Sequence, residues 1–369
     1  MDFLLYWIKN VDQFDFSRPL YHITVDALLD SKLYTISGTM VFCFDLSKPL
    51  DASFLMYDLL PMLPVFSMWG TAGINGSKVF LIGGVTTDIN IGNLSDNLIY
   101  SFDAVNHEWA VPEVAGVQPL RRREASSTFD PATGWIYIFG GATVRYNYEF
   151  DKTEFFNDFI ILDSTNLSWI SIDSFSFNIP TKRASHTATL IENGIIVFIG
   201  GYEVINGTIV QDVDINQIWT YEIKSGTWKC QYAVGDKHPM EISSSMAVVI
   251  LMDQDPHQTL LYLMSKTIPF QWSAPSIPPD NAPPSLAYHT ATIFENYMFI
   301  FFGNITNDFS EPLDSSMDFY IFDTISFTWV TSNRPFTASQ MKIIRIIGII
   351  MHVALAIGFV FGWEFSVIN

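Results

Sequence analysis

An internal repeat constrains this chain more than any other feature, because repeats of this length fold as stacked copies of one small unit. Apolar runs end in a glycine pair at three places and in a single glycine at two others. These glycines are Gly83 and Gly84, Gly140 and Gly141, Gly200 and Gly201, Gly38, and Gly303. Later in each copy, an acidic residue closes an apolar stretch and a tryptophan follows six positions further on. The pairs are Asp103 and Trp109, Asp163 and Trp169, Glu222 and Trp228, and Asp323 and Trp329.

A third element precedes the glycines. His186-Thr187-Ala188-Thr189 recurs as His289-Thr290-Ala291-Thr292, and we align with it His22-Ile23-Thr24-Val25 and Ser126-Ser127-Thr128-Phe129. The units then begin near positions 20, 67, 122, 184, 243 and 286 of the sequence. Each unit predicts four short strands separated by turn residues. Because four strands cannot bury both faces alone, neighbouring units should stack around a ring.

These motifs resemble the kelch family of β-propellers, whose repeat period is about 50 residues. The resemblance covers residues 20 to about 330 and implies an all-β propeller of six blades, with seven as the alternative. The predicted propeller occupies residues 20–332, and residues 1–19 contain a candidate closing strand, Phe3-Leu4-Leu5-Tyr6-Trp7-Ile8. Arg121-Arg122-Arg123-Glu124 and Pro283-Pro284-Ser285 are similar to fungal membrane-anchored kelch proteins, some of them galactose-oxidase-like or attractin-like.

Two copies depart from the pattern. The fifth has Leu263-Met264-Ser265 where a glycine pair is expected, and Trp272 arrives early. The first has no tryptophan, and we expect Tyr57 to replace it. In the regular copies the glycines and tryptophans have structural explanations, because paired glycines allow positive φ or close approach of another chain and tryptophan fills the space between blades.

Charge and cysteine content exclude several classes of function. The chain has 19 Lys and Arg against 38 Asp and Glu, a formal net charge of -19, which argues against a nucleic-acid partner. The two cysteines, Cys43 and Cys230, cannot build a disulfide framework, and we expect both to be unpaired.

The kelch resemblance raises an enzymatic alternative, a galactose-oxidase-like copper oxidase. That site would need two tyrosines, two histidines and a cysteine linked to one tyrosine. Three histidines, His22, His186 and His289, are explained by the repeat, and neither cysteine lies in a recognisable catalytic setting. No phosphate loop, nucleophile elbow or His-Glu-x-x-His motif occurs. We therefore predict a protein without enzymatic activity, cofactor or metal, in which His186 and His289 belong to the scaffold.

The C-terminal region predicts a membrane anchor. Residues 346–363 carry no formal charge and, with Ile343 and Ile344, reach the length needed to cross a bilayer. We assign residues 333–342 to a linker, 343–363 to a transmembrane helix and 364–369 to a short tail. Lys342 and Arg345 favour a cytosolic propeller by the positive-inside rule, whereas the family resemblance favours an exposed one.

We expect an extracytoplasmic propeller on a single-pass membrane protein, with a tail-anchored cytosolic propeller as the alternative. Five N-glycosylation sequons bear on this choice: Asn75, Asn93, Asn166, Asn206 and Asn304.

The predicted function is a membrane-tethered interaction module for a protein or glycan partner, with lipid contacted only by the helix. A structural surface protein without a specific ligand is a further alternative. The long segments between the glycine strand and the acidic strand are the predicted binding loops, at residues 85–97, 143–157 and 203–216.

Overall fold

The computed structural model consists of β-strands and turns throughout its described part, which confirms the all-β class. The described residues are 25–47, 57–89, 93–144, 153–171, 178–191, 193–205, 209–235, 249–252, 259–264, 270–273, 277–284, 286–287, 289–301, 304–306, 312–315 and 319–330. The N-terminal segment 1–19, Gly303, Asn206, the linker, the helix at 343–363 and the tail lie outside them. Within the described ranges, no helix has the length and apolar character needed to cross a membrane.

The first two repeats form four-stranded antiparallel sheets, and a short extra ladder accompanies the second. The first sheet contains β1 (Val25–Leu29), β2 (Lys32–Ser37), β3 (Met40–Asp45) and β4 (Tyr57–Leu60). The second repeat contains β5 (Val65–Met68), β6 (Thr71–Asn75), β7 (Lys78–Ile82), β8 (Val85–Asp88), β9 (Ile99–Asp103) and β10 (Glu108–Ala110). Its main sheet runs β6, β7, β9, β10, and β5 pairs with β8 beside it.

The third and fourth repeats follow the same plan. The third contains β11 (Arg122–Arg123), β12 (Ser126–Asp130), β13 (Trp135–Phe139), β14 (Ala142–Thr143), β15 (Phe159–Asp163) and β16 (Ser168–Ser171). The fourth contains β17 (Arg183–Ala184), β18 (Thr187–Ile191), β19 (Ile195–Ile199), β20 (Tyr202–Ile205), β21 (Ile209–Asp212), β22 (Gln217–Glu222) and β23 (Thr227–Tyr232). The small ladders β11–β14 and β17–β20–β21 lie at the end of each sheet where the glycine pair stands.

The last two repeats differ from each other. The fifth sheet contains β24 (Val234–Gly235), β25 (Val249–Met252), β26 (Thr259–Met264) and β27 (Gln271–Ser273). The sixth repeat contains β28 (Leu286–Ala287), β29 (Thr290–Phe294), β30 (Tyr297–Phe301), β31 (Asn304–Thr306), β32 (Pro312–Ser315), β33 (Phe319–Asp323) and β34 (Thr328–Val330). Its main sheet runs β29, β30, β33, β34, with β28, β31 and β32 as the small ladder.

The first strand of each regular sheet faces its neighbours, since β1 contacts β6, β6 contacts β12, β12 contacts β18, and β1 also contacts β29. The apolar clusters lie between sheets rather than inside them. One of them joins Leu33 and Phe44 of the first sheet to Phe299, Phe301 and Ile321 of the sixth, with the rings of Phe44 and Phe301 4.8 Å apart. Because both faces of each middle strand are covered, the second strands are continuously apolar rather than alternating.

The strand that follows the acidic turn carries its aromatic residue at one register position. Trp109, Trp169, Trp228 and Trp329 each stand opposite the residue just before the acid. Tyr57 takes this position in the first sheet, opposite Phe44, as predicted from the sequence. Trp169, Trp228 and Trp329 are buried. Trp109 is only half-buried, contrary to expectation, because its indole N–H lies at the rim and donates to the carbonyl of Pro61 at 3.0 Å.

The fifth sheet corrects the expected strand order. Trp272 precedes His289 by seventeen residues, the same spacing as Trp169 to His186, and it is buried. Yet its strand β27 pairs directly with the second strand, β26, so the strand ending in an acid has no place between them. The outer position is filled instead by β24, which arrives from the fourth repeat and runs parallel to β27.

The alignment of the first strands also needs correction. Ser126 pairs with Phe139 and Thr187 pairs with Ile199, so Ser126 corresponds to Thr187 and Ala125 corresponds to His186. In the first repeat Val25 pairs with Ile36, so Val25 corresponds to Thr187, and the sequence alignment that matched His22 with His186 is two residues out of register. The sequence alignment was offset by one and two residues because small polar residues fill these strands in several registers.

Candidate functional site

The glycine pairs join each repeat to the next. Gly83, Gly84, Gly140, Gly141, Gly200 and Gly201 all have positive φ, between 65° and 93°. The N–H of Gly84 donates to the carbonyl of Arg122 and that of Gly141 to the carbonyl of Arg183, each at 2.8 Å. A Cβ on Gly141 would lie 2.8 Å from the carbonyl oxygen of Arg123. These positions therefore need glycine both for conformation and for space.

We call the end of the sheets that carries these pairs the glycine face, and the opposite end the turn face. On the turn face the acidic residues close tight turns. Asp103 accepts from the backbone N–H groups of Val105 and Asn106, and Asp163 and Asp323 are bonded in the same way. These bonds lower the pKa of Asp103 and Asp323. In Asp163 burial works in the opposite direction, but the bonds prevail and the pKa is again lowered.

On the glycine face, arginine side chains hold the segments that follow the glycines. The guanidinium of Arg121 donates to the carbonyls of Gly84, Ser95 and Asn97 and to the hydroxyl of Thr86. Burial lowers its pKa. This network holds the two ends of the segment at 85–97, which the sequence predicts to be a variable binding loop.

Arg122 and Arg183 occupy equivalent positions one repeat apart. Arg122 forms a two-point ion pair with Asp158 at 2.6 and 3.0 Å, donates to the carbonyl of Gly140 and stacks on Phe156. Arg183 is fully buried and donates to Thr181 and to the side-chain oxygen of Gln217, with Glu203 4.0 Å away. Burial lowers the pKa of Arg183 to about 10, although Glu203 opposes this effect.

Three residues with left-handed backbone lie just before the first strands of the second, third and fourth repeats. Trp69, Glu124 and Ser185, each two residues before the first strand, all have φ between 55° and 57°. Their backbones are linked in series, because Glu124 donates its N–H to the carbonyl of Trp69 and Ser185 to that of Glu124, both at 2.9 Å. Left-handed backbone at bulky residues costs on the order of 1–3 kcal/mol and is concentrated at functional sites. We call the part of the glycine face formed by Trp69, Glu124 and Ser185 the mouth. The repetition of this conformation marks the mouth as a candidate site.

Glu124 is the hub of that mouth. Its carboxylate accepts hydrogen bonds from Ser185 and from Tyr202 of β20, and it forms an ion pair with Arg123. The guanidinium of Arg123 lies over the ring of Trp69, 5.5 Å from its centroid. Burial raises the pKa of Glu124, whereas Arg123 and Ser185 oppose that rise. The network connects the second, third and fourth repeats and gives the mouth a fixed shape, which suits recognition of a partner surface.

The two described histidines of the repeat are buried just before the first strands of their sheets. His186 is buried with its Nε2 2.7 Å from the hydroxyl of Ser126, and His289 is buried near the carbonyl of Leu286. Burial lowers the pKa of His186 to about 3, with a contribution from Arg183, and that of His289 to about 4. Among the described residues, no group of three or more His, Cys, Asp or Glu side chains is arranged to hold a metal. Cys43 and Cys230 are both free.

The described parts of the predicted binding loops include short strands. Residues 85–88 form β8, and β20 and β21 form a hairpin across most of the segment at 203–216. At 143–157, the part that is described begins with β14 and returns with Phe155 bridged to Ala142. The ladders form because these segments pair with the chain that enters the first strand. They are therefore fixed parts of the glycine face.

The sequons fall in different environments. Asn93 is exposed, and its carbonyl accepts the N–H of Asp88. Asn75 and Asn166 lie on the turn face, where their side-chain amides donate to Thr165 and Asp163. Asn304 lies in β31. The side-chain nitrogen that would carry a glycan is thus already a hydrogen-bond donor at Asn75 and Asn166.

Sequence reasoning did not find the mouth. Arg121-Arg122-Arg123-Glu124 is prominent in the sequence, but only as a mark of family resemblance. The available signal was the recurrence of arginine four residues before Ser126 and four before Thr187, which becomes visible once the register of the first strands is known. The roles of Trp69, Ser185 and Tyr202 have no such signal, because their contacts join residues from three repeats.

Comparison with known proteins agrees with this architecture. The solved structure of YjhT superimposes with a TM-score of 0.56 at 11% identity, covering 83% of this chain and 95% of that one, which shows a shared propeller-like fold. The Kelch repeat-containing protein of Arthroderma benhamiae is 28% identical over 162 residues, 42% of this chain and 23% of that protein.

Kelch domain-containing protein 3 of Bos taurus is 29% identical over 170 residues, 46% of this chain and 41% of that protein. The chain thus matches less than half the length of these curated relatives. The model of the KLHDC2/KLHL20/DRC7 Kelch-repeats domain matches residues 70–255, just over half of the chain. The kelch resemblance is confirmed, and the chain belongs to this Kelch-repeat family.

Proposed function

We propose that this protein is a non-enzymatic interaction module that binds a protein partner through its glycine face. Kelch-repeat domains generally act as protein interaction modules, which supports the general class. The observation that carries the choice of face is the distribution of exposed large apolar side chains. Six of the twelve among the described residues lie on or beside the glycine face: Phe66, Ile89, Leu120, Val210, Tyr232 and Val234. Three, Val105, Ile293 and Ile325, lie towards the turn face.

The energetic argument for this face is preorganisation. A partner that binds fixed segments does not lose the free energy of ordering them, which for a mobile surface is about 0.5–1.5 kcal/mol per side chain. Arg121, Arg122 and the Glu124 hub fix the segments that carry the exposed apolar residues. Apolar groups presented on a rigid polar frame are typical of protein interfaces.

The non-enzymatic part of the proposal is supported by the burial and hydrogen bonding of the side chains that could act in catalysis. Ser126 and His186 form a polar pair, but both are buried. Glu124 is saturated by three donors, and the lowered pKa values of His186 and His289 keep these rings neutral near pH 7. A glycan partner remains the second form of the proposal, since Trp69, Arg123 and Glu124 combine an aromatic face with polar groups.

We further propose a closed ring of six blades. The support is that six four-stranded sheets follow one another and that the first and the sixth share an apolar cluster. In this arrangement the first sheet draws all four strands from residues 25–60, so closure needs no strand from residues 3–8.

The membrane anchor at 343–363 is likewise our proposal, resting on its uncharged sequence, with the propeller on the extracytoplasmic side. Treatment of the full chain with a glycosidase tests the orientation. We expect a loss of mass that is reduced in Asn93→Gln. A membrane-bound chain with no glycan, cleaved by protease from the cytosolic side, would establish the tail-anchored alternative.

The binding face is tested by partner capture with the full chain and matched surface variants. Leu120→Asp and Val210→Asp place a charge on the glycine face, and Val105→Asp places one on the turn face at similar exposure. We expect capture to fall at least tenfold in the first two variants and to be unchanged in the third. Equal capture by all four proteins, or loss only in Val105→Asp, would refute this choice of face.

A further inference from the structure

From the second sheet to the sixth, the chain that leaves one sheet packs against the tryptophan of the next. At each of these five joints, an apolar residue of the connector belongs to the same apolar cluster as that tryptophan. The pairs are Leu63 with Trp109, Val114 with Trp169, Ile179 with Trp228, Ala233 with Trp272, and Ile277 with Trp329. The connector residue follows the aromatic position of its own repeat by five to ten residues. This cover is therefore a regular part of the repeat.

Two of these connectors also pair with the strand that they cover. Ala115 forms a parallel bridge with Ser168 and accepts the N–H of Trp169. The strand β24 runs parallel to β27 in the same way, with Val234 opposite Gln271. In both cases the pairing residue stands six positions after one tryptophan, and its partner stands just before the next. The connector thus occupies the hydrogen-bonding edge that an outer strand would otherwise present.

The first sheet is the exception within the described residues. Its outer strand β4 pairs there with β3 alone, and Leu59 on this strand is 59% exposed. Its aromatic residue, Tyr57, is half-buried and lies in the cluster between the first and sixth sheets. Val330, the last described residue, packs in the same cluster. The chain therefore leaves the sixth sheet beside the first, where the residues that follow can reach β4.

We infer that residues 331–336 cover this edge, with the ring of Phe336 packed against Tyr57 and Leu59. These six residues follow the last described residue of the sixth sheet. At each of the other joints, it is this part of the chain that covers the next sheet. The arrangement removes two apolar side chains from water, which favours it. It does not depend on which partner the glycine face binds.

The sequence of this segment suits the role. Phe336 is its one large apolar side chain and follows Trp329 by seven residues, within the spacing found at the other joints. Arg334 provides a cation that can meet Asp58, which is exposed on β4. Residues 337–342 then separate Phe336 from the proposed anchor, a span of at most about 25 Å. The anchor would therefore leave the ring at the rim of the first sheet.

Cross-linking between paired cysteines in the full chain tests the position of this segment. Leu59→Cys with Phe336→Cys is the test pair, and Val111→Cys with Phe336→Cys is the control. Val111 stands two residues after the aromatic position of the second sheet, as Leu59 does in the first, and their exposures are similar, 49% and 59%. With a short bis-maleimide we expect at least tenfold more intramolecular link in the test pair, measured by peptide mass spectrometry. Cys43 and Cys230 are present in both pairs, so their reactions cancel in the comparison.

Two outcomes of the cross-linking would overturn the inference. One is a yield in the control that equals or exceeds that of the test pair, including no link in either. The other is a link in the test pair that joins two chains, which would show that a second copy covers β4 instead.

Hydrogen exchange provides a second readout with single substitutions. Phe336→Asp should speed amide exchange in β4 at least tenfold, because a charge cannot be buried against the aromatic cluster. Phe336→Leu keeps an apolar side chain and should leave that rate unchanged. The strand β10, which lies next to the first connector, should exchange equally in all three proteins. Equal exchange of β4 in all three, or an equal rise in β4 and β10, would show that Phe336 does not act at this edge.

Discussion

The third and fourth repeats show two ways to place a guanidinium in the same position. In the third, Arg122 is balanced by Asp158, whose carboxylate remains half in solvent. In the fourth, the counterpart of Asp158 is Gln217, and Arg183 is fully buried beside a neutral His186. The arginine occupies the same position in both repeats, whereas the groups that compensate its charge differ from one repeat to the other. Breaking a buried ion pair is costly, whereas Arg183 depends mainly on hydrogen bonds to neutral oxygens, with Glu203 4.0 Å away as a weaker charge partner.

The largest effect on stability should come from substitution of the paired glycines, which the third and fourth repeats share. Gly141→Ala and Gly201→Ala should each lower the free energy of unfolding by about 3 kcal/mol or more, since both have positive φ and an added Cβ would strike the backbone of β11 or β17 in the same repeat. Gly194→Ala is the control, because its φ is also positive but its nearest neighbour would be 4.0 Å away. It should cost only about 1 kcal/mol. Urea unfolding measures the three, and equal losses would show that space is not the constraint.

A second effect is on the pH dependence of stability, to which only the fourth of these two repeats contributes a histidine at this position. The third repeat has Ala125 where the fourth has His186. The pKa of His186 falls to about 3 in the folded protein, below the unfolded value of about 6.5. The unfolded chain therefore binds the proton first, and stability declines as pH falls from about 6.5 towards 3, by about 1.4 kcal/mol per pH unit. His289, with its pKa lowered to about 4, adds a similar slope in its own window.

The variant His186→Gln should remove about 1.4 kcal/mol per pH unit from that slope between pH 6 and 4. Glu124, whose pKa is raised, acts in the opposite direction above about pH 4.5, so the comparison is between variant and parent at each pH. An unchanged slope would mean that His186 takes up its proton in the folded protein.

Exchanging the side chains that bind Arg122 and Arg183 tests whether the two repeats compensate the arginine charge in different ways. Asp158→Asn keeps a hydrogen-bond acceptor for Arg122 but removes the charge, and should cost about 1–2 kcal/mol given the partial exposure of this carboxylate. Gln217→Glu brings a carboxylate to Arg183 and should stabilise the fold by about 1 kcal/mol, less the repulsion from Glu203. Chemical denaturation at low salt measures both. Stabilisation by Asp158→Asn would show that the ion pair contributes nothing at this junction.

The smallest effect lies on the turn face. Asp163 accepts two backbone N–H groups and the Asn166 amide, whereas Glu222 accepts only from Ser225 in a turn that already has Gly226 at its left-handed position. Asp163→Ala should therefore cost about 1 kcal/mol and Glu222→Ala about half of that, by analogy with helix caps. The lowered pKa of Asp163 predicts that its difference from Glu222 shrinks as pH falls below about 4. A larger loss in Glu222→Ala would contradict this ranking.

Much of the fold follows from local rules, and these are the parts that sequence reasoning recovered. The glycine pairs, the acidic turns and the aromatic position are each set by a requirement within a few residues, so even the substitution of Tyr57 for tryptophan could be predicted. The fifth sheet could not be predicted in this way. Its outer strand β24 belongs to the preceding repeat in sequence, and only parallel pairing with β27 assigns it to this sheet.

The sequence by itself determined the all-β class, the Kelch-repeat family and the places where the chain must turn, because glycine conformation, turn capping and apolar periodicity are encoded locally. Tertiary structure alone decided the candidate site. Glu124 meets Tyr202 across 78 positions of sequence, and Arg122 meets Asp158 across 36. Such contacts depend on the register between sheets, where a shift of one residue turns a side chain to the opposite face. The mouth became visible only when that register was known.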